Sequence, residues 1–295
     1  MSHTVVIVNP ASGRGAGARL LPRLTQLFAK HGINDVRTTT AAGDETRVVE
    51  EAVRDGAATI AVAGGDGTWG KCAVALARLG SPARMAFLAG GTGNDFAKNF
   101  PAPARDHAAM AALIAAGGRE RRVDLGSVDG EWFLNVAGFG FDVSVLEDTL
   151  RKSWLRGKAV YIAAALKSLL RYEGISVQVD VFGDTSPKRR MMLIISNGLN
   201  FGGAFRIAPA ARVDDGHLDF VSIGDIHGLA RLPLFARALR GAHLSHPKVA
   251  AARAERALLL FDAPPLFELD GELYQARSAS VAVATVPLAL RVLTA

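Results

Sequence analysis

The stretch Thr59-Ile60-Ala61-Val62-Ala63-Gly64-Gly65-Asp66-Gly67-Thr68 decides the fold class of this chain of 295 residues. Its first half, Thr59–Ala63, is a short apolar run typical of a strand that is buried on both faces of a parallel sheet. The run breaks into the glycine-rich turn Gly64–Thr68, and a helical pattern then continues to Leu79. This order indicates an α/β fold in which the turn lies at the ligand-binding edge of the sheet.

The same strand–turn–helix pattern occurs on either side of this stretch. Further strands are predicted at Val5–Val8, Val36–Thr40 and Met85–Ala89, and further helices at Ala18–His31 and Glu45–Arg54. Polar, glycine-rich turns follow three of the four strands, at Asn9–Gly17, Gly64–Thr68 and Gly90–Asp95. The βαβα order predicts a parallel, Rossmann-like sheet with helices on both faces and all three turns at one edge.

From about Val123 the sequence changes to short β-rich segments that are separated by turn residues. We predict an antiparallel β-sandwich or barrel, with strands at 132–136, 175–182, 191–196, 218–223, 257–261 and 280–283. Helices are predicted within it near Lys158–Leu170 and Leu229–Leu239. The predicted domains are therefore 1–122 and 123–295. An alternative is that the last residues of the chain return to the first domain.

Composition limits the possible functions. Hydrophobic residues make up 49% of the chain, enough for a packed core, and the single cysteine, Cys72, excludes an intramolecular disulfide and favours a cytoplasmic location. No charge-free apolar run approaches the ~20 residues that span a bilayer, so we expect no transmembrane segment. The formal net charge of +6 favours anionic partners. Nucleic-acid binding is not expected, because no aromatic platform or recognition motif accompanies the charge.

The turns Gly64–Thr68 and Gly90–Asp95 have the chemistry of a phosphate site. Glycines let backbone N–H groups approach phosphate oxygens, and the helix that follows adds the positive end of its dipole. Asp66 offers the hard oxygen ligands that Mg²⁺ prefers. The alternative is that Asp66 merely caps the next helix. A second acid-bearing glycine turn on the neighbouring strand favours the phosphate site.

Two further segments partly match other nucleotide-binding motifs. Gly65–Cys72 nearly matches the P-loop, but Cys72 replaces the Ser or Thr that binds Mg²⁺. Gly13–Gly17 is similar to the dinucleotide-binding fingerprint, but its third glycine comes one residue early and Arg37–Thr40 contains no acidic residue. A nicotinamide-dependent dehydrogenase is therefore a minor alternative.

Together the motifs resemble the catalytic domain of diacylglycerol kinases, a superfamily that includes bacterial soluble lipid kinases, sphingosine kinases and ceramide kinases. The matching segments run in order along nearly the whole chain: Val8–Pro10, Ser12–Gly13, Gly64–Thr68, Gly91–Ala97, Val123–Gly126, Asn135–Asp142, Ala208–Gly216 and Asp270–Glu272. The Gly-Gly-Asp-Gly turn also occurs in NAD kinases and phosphofructokinases, so the resemblance implies an α/β domain like theirs. The Gly91–Asp95 and Asp270–Glu272 turns favour the lipid kinase branch.

The resemblance implies an ATP site on the three turns. It assigns to ATP the residues Asn9, Pro10, Ala11, Ser12, Gly13, Arg14, Thr39, Gly64, Gly65, Asp66, Gly67, Thr68, Thr92, Gly93, Asn94 and Asp95. Arg14 stands where relatives often carry Lys, and either cation neutralises phosphate. Asp66 would also hold Mg²⁺ on the phosphates and thereby take part in catalysis.

The resemblance further implies that Glu272 is the general base, with Asp270 beside it. A carboxylate in that place can accept the proton of an attacking lipid hydroxyl. From the residues alone, Asp270-Gly271 is an ordinary hairpin-turn signal. Asp124 and Lys158 are implied to face the cleft from the second domain, although Lys158 also suits a solvated helix start.

A structural Mg²⁺ site is implied as well, near the turn Arg212–His217. Asp215 would bind through its carboxylate, and Arg212 and His217 through backbone carbonyl groups. A polar β-turn is the alternative for this segment.

Cationic residues in Arg151–Lys158 and Arg231–Arg253 flank apolar ones such as Trp154, Leu232 and Phe235. A basic amphipathic face of this kind would dock on an anionic membrane, and a solvated helix face is the alternative.

The sequence therefore predicts an ATP- and Mg²⁺-dependent lipid kinase, cytoplasmic and peripherally membrane-associated. Its acceptor would be a hydroxyl of diacylglycerol or of a related lipid such as a sphingoid base or phosphatidylglycerol, and a homodimer is considered. The alternatives are an NAD or sugar-phosphate kinase with the same Gly-Gly-Asp-Gly turn, and a catalytically silent protein that binds nucleotide or lipid.

Overall fold

The computed structural model describes residues 3–41, 43–151 and 172–295, and the chain forms two compact units. The first unit comprises Met1–Leu125, Val213–Gly216 and Val286–Ala295, and the second comprises Gly126–Arg212 and His217–Thr285. The predicted domain boundary lies after residue 122, whereas the two units divide within strands β5 (Arg119–Val128) and β15 (Ser280–Thr294).

The first unit contains the predicted parallel sheet. Its strands are β1 (Thr4–Val8), β2 (Asp35–Thr38), β3 (Thr59–Gly64) and β4 (Arg84–Ala89). They lie in the order β2-β1-β3-β4, and the end of β15 pairs with β4. Every residue of β1 and β3 is buried, as their continuous apolar sequences predict for a sheet covered on both faces.

Four helices accompany this sheet: α1 (Ser12–Ala29), α2 (Glu45–Arg54), α3 (Asp66–Arg78) and α4 (His107–Ala115). α1 and α4 share one core with the sheet through Phe28 and Met110. α2 packs against α3, and the indole N–H of Trp69 on α3 donates to the carbonyl oxygen of Val62 at 3.0 Å. The predicted α/β fold of the amino-terminal part is confirmed.

The start of α1 differs from the prediction, which placed Ser12–Gly17 in a loop and the helix start at Ala18. The backbone φ angles of Gly13 and Gly15 are +58° and +85°, so this first part of α1 departs from regular helix geometry. A Cβ at Gly17 would lie 1.9 Å from the carbonyl oxygen of Asn9. Glycine is needed there because the helix backbone passes directly over the preceding turn.

The second unit is the predicted antiparallel β-sandwich. Its strands, besides the ends of β5 and β15, are β6 (Glu131–Phe133), β7 (Val136–Gly140), β8 (Ile175–Val179), β9 (Lys188–Ser196), β10 (Leu218–Gly224), β11 (Val249–Ala254), β12 (Arg256–Phe261), β13 (Leu266–Leu269) and β14 (Glu272–Gln275). They pair antiparallel in the order β14-β13-β7-β9-β8-β12-β15, and β10 pairs with β9 and β11.

Strand β9 separates two apolar layers, since successive side chains of a strand point to opposite faces. Leu193 and Ile195 belong to one buried core, which also contains residues of β7, β8, β10, β12, β13 and β15. Met192 and Ile194 face a second layer that includes residues of α5 (Phe141–Arg151) and α6 (Arg231–Ala238). The helix predicted near Lys158–Leu170 lies outside the described residues. No helix in the described ranges is long and apolar enough to cross a membrane.

Candidate active site

Three glycine-rich segments of the first unit lie against one another at the carboxyl ends of β1, β3 and β4. A Cβ at Gly91 would lie 2.6 Å from the Cα of Gly65, and a Cβ at Gly13 would lie 2.5 Å from the carbonyl oxygen of Gly90. The N–H of Gly90 donates to the carbonyl oxygen of Gly64 at 2.8 Å. Glycines are required where the segments meet, because their backbones leave no room for side chains.

Asp66, the first residue of α3, ties two of these segments together. Its Oδ1 accepts the backbone N–H of Asp95 at 2.6 Å, and its Oδ2 accepts that of Asn94 at 2.8 Å. The N-cap residue of α3 is Gly65, and no side chain forms a capping hydrogen bond there. The alternative interpretation, in which Asp66 is the N-cap residue, is therefore wrong. Burial and the negative charge of Asp95 raise the pKa of Asp66.

The segment Gly91–Asp95 is held by its own side chains. Asn94, with a φ of +52°, accepts the N–H of Gly91 at 3.2 Å and donates to the carbonyl oxygen of Gly91 at 2.7 Å. Asp95 is buried and pairs with Lys98 at 2.5 Å. Thr92 is exposed and Gly93 is half-buried. The loop is therefore closed by Asn94 and presents Thr92 at its surface.

Asn9 connects the first segment to the others. Its Nδ2 donates to Thr68 Oγ1 at 2.9 Å and to Glu45 Oε1 at 3.0 Å, and its Oδ1 accepts the N–H of Ala11 at 2.9 Å. Glu45 is buried, and its Oε2 has no hydrogen-bond partner among the described residues. Sequence reasoning missed Glu45, because only the contact with Asn9 distinguishes it from other polar residues at the start of a helix.

Three further residues assigned to ATP are Ser12, Arg14 and Thr39. Ser12 Oγ donates to the carbonyl oxygen of Asn9 at 2.8 Å, and Arg14 lies in the first part of α1. Thr39 is buried, and its N–H donates to the carbonyl oxygen of Val8 at 3.1 Å.

The donors of this cluster fit the phosphate groups of a nucleotide together with Mg²⁺. The first N–H groups of α1 and α3 lack acceptors within their helices, and glycines allow phosphate oxygens to approach them. The charge of Asp95 opposes ionisation of Asp66, a repulsion that a divalent cation would relieve. Mg²⁺ is typically held by one or two carboxylates plus substrate phosphates.

Asp124 is fully buried and joins separate parts of the first unit. Its N–H donates to the carbonyl oxygen of Val213 at 2.6 Å. Its carboxylate accepts the N–H of Gly216 at 2.7 Å and that of Leu288 at 2.7 Å. These contacts give Asp124 a structural role, and its expected role toward the ligand remains a prediction. Lys158, expected beside it, lies outside the described residues.

Asp215 is half-buried in the segment Val213–Gly216 of the first unit. The neighbouring Asp214 forms an ion pair with Arg121 at 2.8 Å. Arg212 and His217 belong to the second unit, and a Mg²⁺ site here remains a prediction.

In the second unit, Asp270 and Gly271 form the turn between β13 and β14, with φ angles of +50° and +89°. This is the hairpin that the Asp-Gly pair predicts. The Asp270 carboxylate accepts the backbone N–H groups of Leu134 at 2.7 Å, Asn135 at 2.9 Å and Val136 at 3.1 Å. Asp270 thereby anchors the turn that leads to Glu272.

Glu272 is the half-buried first residue of β14, directly after this anchored turn. It pairs with Leu269 across the hairpin. The hairpin register therefore determines where the carboxyl group of Glu272 is presented.

An apolar cavity of about 450 Å³ lies in the second unit. Its walls include Phe141, Met192, Phe205, Ile223, Leu234 and Phe235, from β9, β10, α5, α6 and the 201–205 loop. Gly271 also lines the cavity, so the turn before Glu272 forms part of its wall. Two charged residues, Asp142 and Glu268, line it as well, and sequence reasoning assigned neither of them to the site.

A parallel α/β unit with clustered glycine segments and a β-rich unit with an apolar cavity are the two parts that the resemblance to kinases with a Gly-Gly-Asp-Gly turn implies. Residues 3–128 match the family model of the diacylglycerol kinase catalytic domain, and residues 135–294 match that of the YegS C-terminal NAD kinase beta sandwich-like domain. The chain belongs to the diacylglycerol kinase and YegS-like lipid kinase family.

Individual relatives cover nearly the whole chain. The diacylglycerol kinase of Bacillus subtilis (strain 168) is 28% identical over 274 residues, 92% of this chain and 90% of the relative. A Xanthomonas euvesicatoria protein named probable lipid kinase YegS-like is 33% identical over 286 residues, again 92% and 90%. The fold is shared with a crystal structure of a diacylglycerol kinase from Bacillus anthracis str. Sterne, with a TM-score of 0.75, 23% identity and coverage of 100% and 97%.

Proposed function

We propose that this protein is an ATP- and Mg²⁺-dependent lipid kinase that phosphorylates a hydroxyl group of diacylglycerol or of a closely related lipid. The observation that carries the proposal is the apolar cavity whose wall includes the turn before Glu272. NAD and sugar phosphates carry charges that an apolar wall would leave unsolvated, whereas acyl chains match it. Membership of the lipid kinase family supports the same class of acceptor.

The glycine cluster of the first unit is the proposed nucleotide site. Backbone N–H groups of Gly13, Gly65, Gly67, Thr92 and Gly93 would bind the triphosphate, with Arg14 and Thr39 nearby. The N–H groups of Ala11, Gly91, Asn94 and Asp95 already donate within the cluster and hold its segments together. Asp66 and Asp95 would hold Mg²⁺, which would neutralise the phosphate charge. Because Asp66 already accepts two backbone N–H groups, its second role is to keep two of the segments in register.

Glu272 is the proposed general base. It accepts the proton of the lipid hydroxyl while the hydroxyl oxygen forms a bond to the γ-phosphorus of ATP. The bond from that phosphorus to the β–γ bridging oxygen breaks, and ADP leaves with the electron pair. Asp270 is proposed as a positioning residue, since its carboxylate is engaged by backbone N–H groups.

We further propose that the enzyme takes its lipid from an anionic membrane surface through the segment around α6. Leu234 lines the cavity, while Leu229 is 71% exposed in the preceding turn. Arg237 and Arg240 are exposed on the same segment. Apolar and basic side chains in one exposed segment suit the interface of an anionic bilayer.

Arg231, expected on this basic face, does not belong to it. It is fully buried, and its guanidinium donates to the carbonyl oxygens of Ile226 at 2.5 Å and Tyr172 at 2.6 Å. A cytoplasmic location and a homodimer remain predictions, and sedimentation velocity of the purified protein tests the second.

The test of the main proposal is Mg²⁺-dependent ADP release from ATP, with lipids in mixed micelles and with NAD and a sugar phosphate as soluble acceptors. Release with a lipid, lost in Asp66→Ala and in Glu272→Gln, would support the proposal. Release with NAD or sugar phosphate alone would identify the alternative kinase. ATP binding without turnover on any acceptor would identify a silent binding protein.

A further inference from the structure

Two buried carboxyl groups that the proposed catalytic roles do not use line the apolar cavity. Asp142, in the first turn of α5, and Glu268, on β13, are only 8% and 3% exposed. Within the described part of the chain, Oε1 of Glu268 has no hydrogen-bond partner. The Asp142 carboxyl lies near the backbone N–H groups of Asp142 and Val143, but neither forms a hydrogen bond of normal geometry with it. Buried polar groups without partners are destabilising, so their presence points to a ligand that supplies the missing partners.

Gly138 on β7 makes room for both carboxyl groups. A Cβ at this position would lie 1.6 Å from Oδ2 of Asp142 and 3.2 Å from Cγ of Glu268. Gly138 and Glu268 are also paired across β7 and β13. The two acidic side chains therefore lie over the same glycine at the wall of the cavity.

This pair is tied to the proposed catalytic turn. Oε2 of Glu268 accepts the N–H of Gly271 at 2.8 Å, and Glu272 follows Gly271 in the chain. A group that binds at the pair would therefore be held beside the turn that presents the proposed base.

The surroundings of the two carboxyl groups raise the pKa of both. Burial raises the pKa of Asp142 to about 7. Burial, and then the charge of Asp142, raise the pKa of Glu268 well above its usual range, and Asp270 adds to this effect. A protonated carboxyl group can donate one hydrogen bond, and an ionised one can only accept, so the two groups can offer a hydroxyl both kinds of partner.

We propose, on the basis of the lipid kinase function proposed above, that Asp142 and Glu268 select the acceptor lipid by the charge of its headgroup. They receive an uncharged, hydroxyl-bearing headgroup and exclude a headgroup that carries an anionic phosphate. A hydroxyl group can donate to an unpartnered carboxyl oxygen and accept a hydrogen bond from a protonated carboxyl group. A phosphate would bring a second negative charge next to the pair in an apolar cavity, where like charges repel most strongly.

The experiment compares kcat/KM for diacylglycerol and for phosphatidylglycerol of the same acyl chains, in neutral mixed micelles. The wild-type protein is expected to prefer diacylglycerol by about tenfold or more, the scale of one unfavourable charge contact. Asp142→Asn and Glu268→Gln are expected to reduce this ratio about tenfold, mainly by a gain on phosphatidylglycerol. Glu268→Asp, which keeps the charge, should keep the preference.

Leu234→Ala is the matched control, because it alters the apolar wall of the cavity without altering its charge. It should lower kcat/KM for diacylglycerol and for phosphatidylglycerol by the same factor. Thermal unfolding verifies that each variant is folded. If Asp142→Asn does not fold, Glu268→Gln carries the test, since the glutamine oxygen can still accept the N–H of Gly271. Equal effects of the amide variants on both lipids, or a wild-type protein that does not prefer diacylglycerol, would overturn the charge selection. Absence of activity on both lipids would instead overturn the lipid kinase function.

Discussion

The carboxylate of Asp66 accepts the backbone N–H of Asp95 at 2.6 Å, although the charges of the two side chains repel each other. The first residue of α3 is thereby bound to the loop that follows the neighbouring strand β4. The two loops are thereby joined, and the negative charges of Asp66 and Asp95 lie close together on them. This arrangement suits a site for a divalent cation and phosphate, in which both ligands arrive together.

The first prediction concerns Asp66→Asn, which replaces one acceptor oxygen with an NH₂ group that faces a backbone N–H. The lost hydrogen bond, about 1–3 kcal/mol, should weaken Mg²⁺–ATP binding by about tenfold or more. Isothermal titration calorimetry measures this. Asp106→Asn is the matched control, because Asp106 accepts the N–H groups of Ala108 and Ala109 as a helix cap, where asparagine serves equally well. Unchanged binding in Asp66→Asn would contradict the proposed role.

The second prediction separates anchoring from chemistry at Asp270. Asp270→Asn should lower the free energy of unfolding by about 2–3 kcal/mol, because three backbone N–H groups lose a charged acceptor. Urea unfolding measures the change. A variant that is as stable as the wild type yet inactive would argue for direct participation of Asp270 in the reaction.

The third prediction is that a change at Glu272, unlike one at Asp270, lowers activity and leaves the stability of the protein unchanged. Glu272→Gln keeps the size of the side chain but cannot accept a proton, so kcat should fall by about a hundredfold or more. The midpoint of urea unfolding and the affinity for ATP should stay at the wild-type values. Full turnover in a folded Glu272→Gln protein would remove the assignment of this residue as the base.

Much of the fold could be predicted because strand and helix periodicities and turn residues are local signals. The predicted helix Glu45–Arg54 is observed with the same limits. The roles of single carboxylates were harder to predict, since they depend on residues that are distant in the chain. The contacts of the Asp124 carboxylate with the backbone N–H groups of Gly216 and Leu288, for example, join residues that are 92 and 164 positions apart and could not be predicted from the sequence. Glu45 was missed for the same reason, and so were Asp142 and Glu268, which lie over the same glycine of β7.

The fourth prediction concerns membrane contact. Leu229→Glu places a negative charge at the most exposed leucine of the α6 segment and should reduce binding to phosphatidylglycerol-containing vesicles several-fold. Vesicle sedimentation at low and high salt measures the effect. Leu258→Glu is the control, because Leu258 on β12 is also exposed, at 41%, but lies outside that segment. Equal losses in both variants would show that the α6 segment has no special role.

The last prediction is a pH dependence of stability that arises from Asp142 and Glu268. Burial raises the pKa of Asp142 in the folded protein from 3.8 to about 7, so the folded state holds protons that the unfolded state has released. The stability that this provides is complete below pH 4 and is lost as the pH rises to about 7. The double variant Asp142→Asn/Glu268→Gln does not titrate at these positions. The free energy of unfolding of the double variant minus that of the wild type should therefore increase by on the order of 2 kcal/mol between pH 5 and pH 8. Urea unfolding of both proteins at each pH measures the difference, in which other titrating groups cancel. A difference that stays constant over this range would mean that folding does not raise the pKa of these two carboxyl groups.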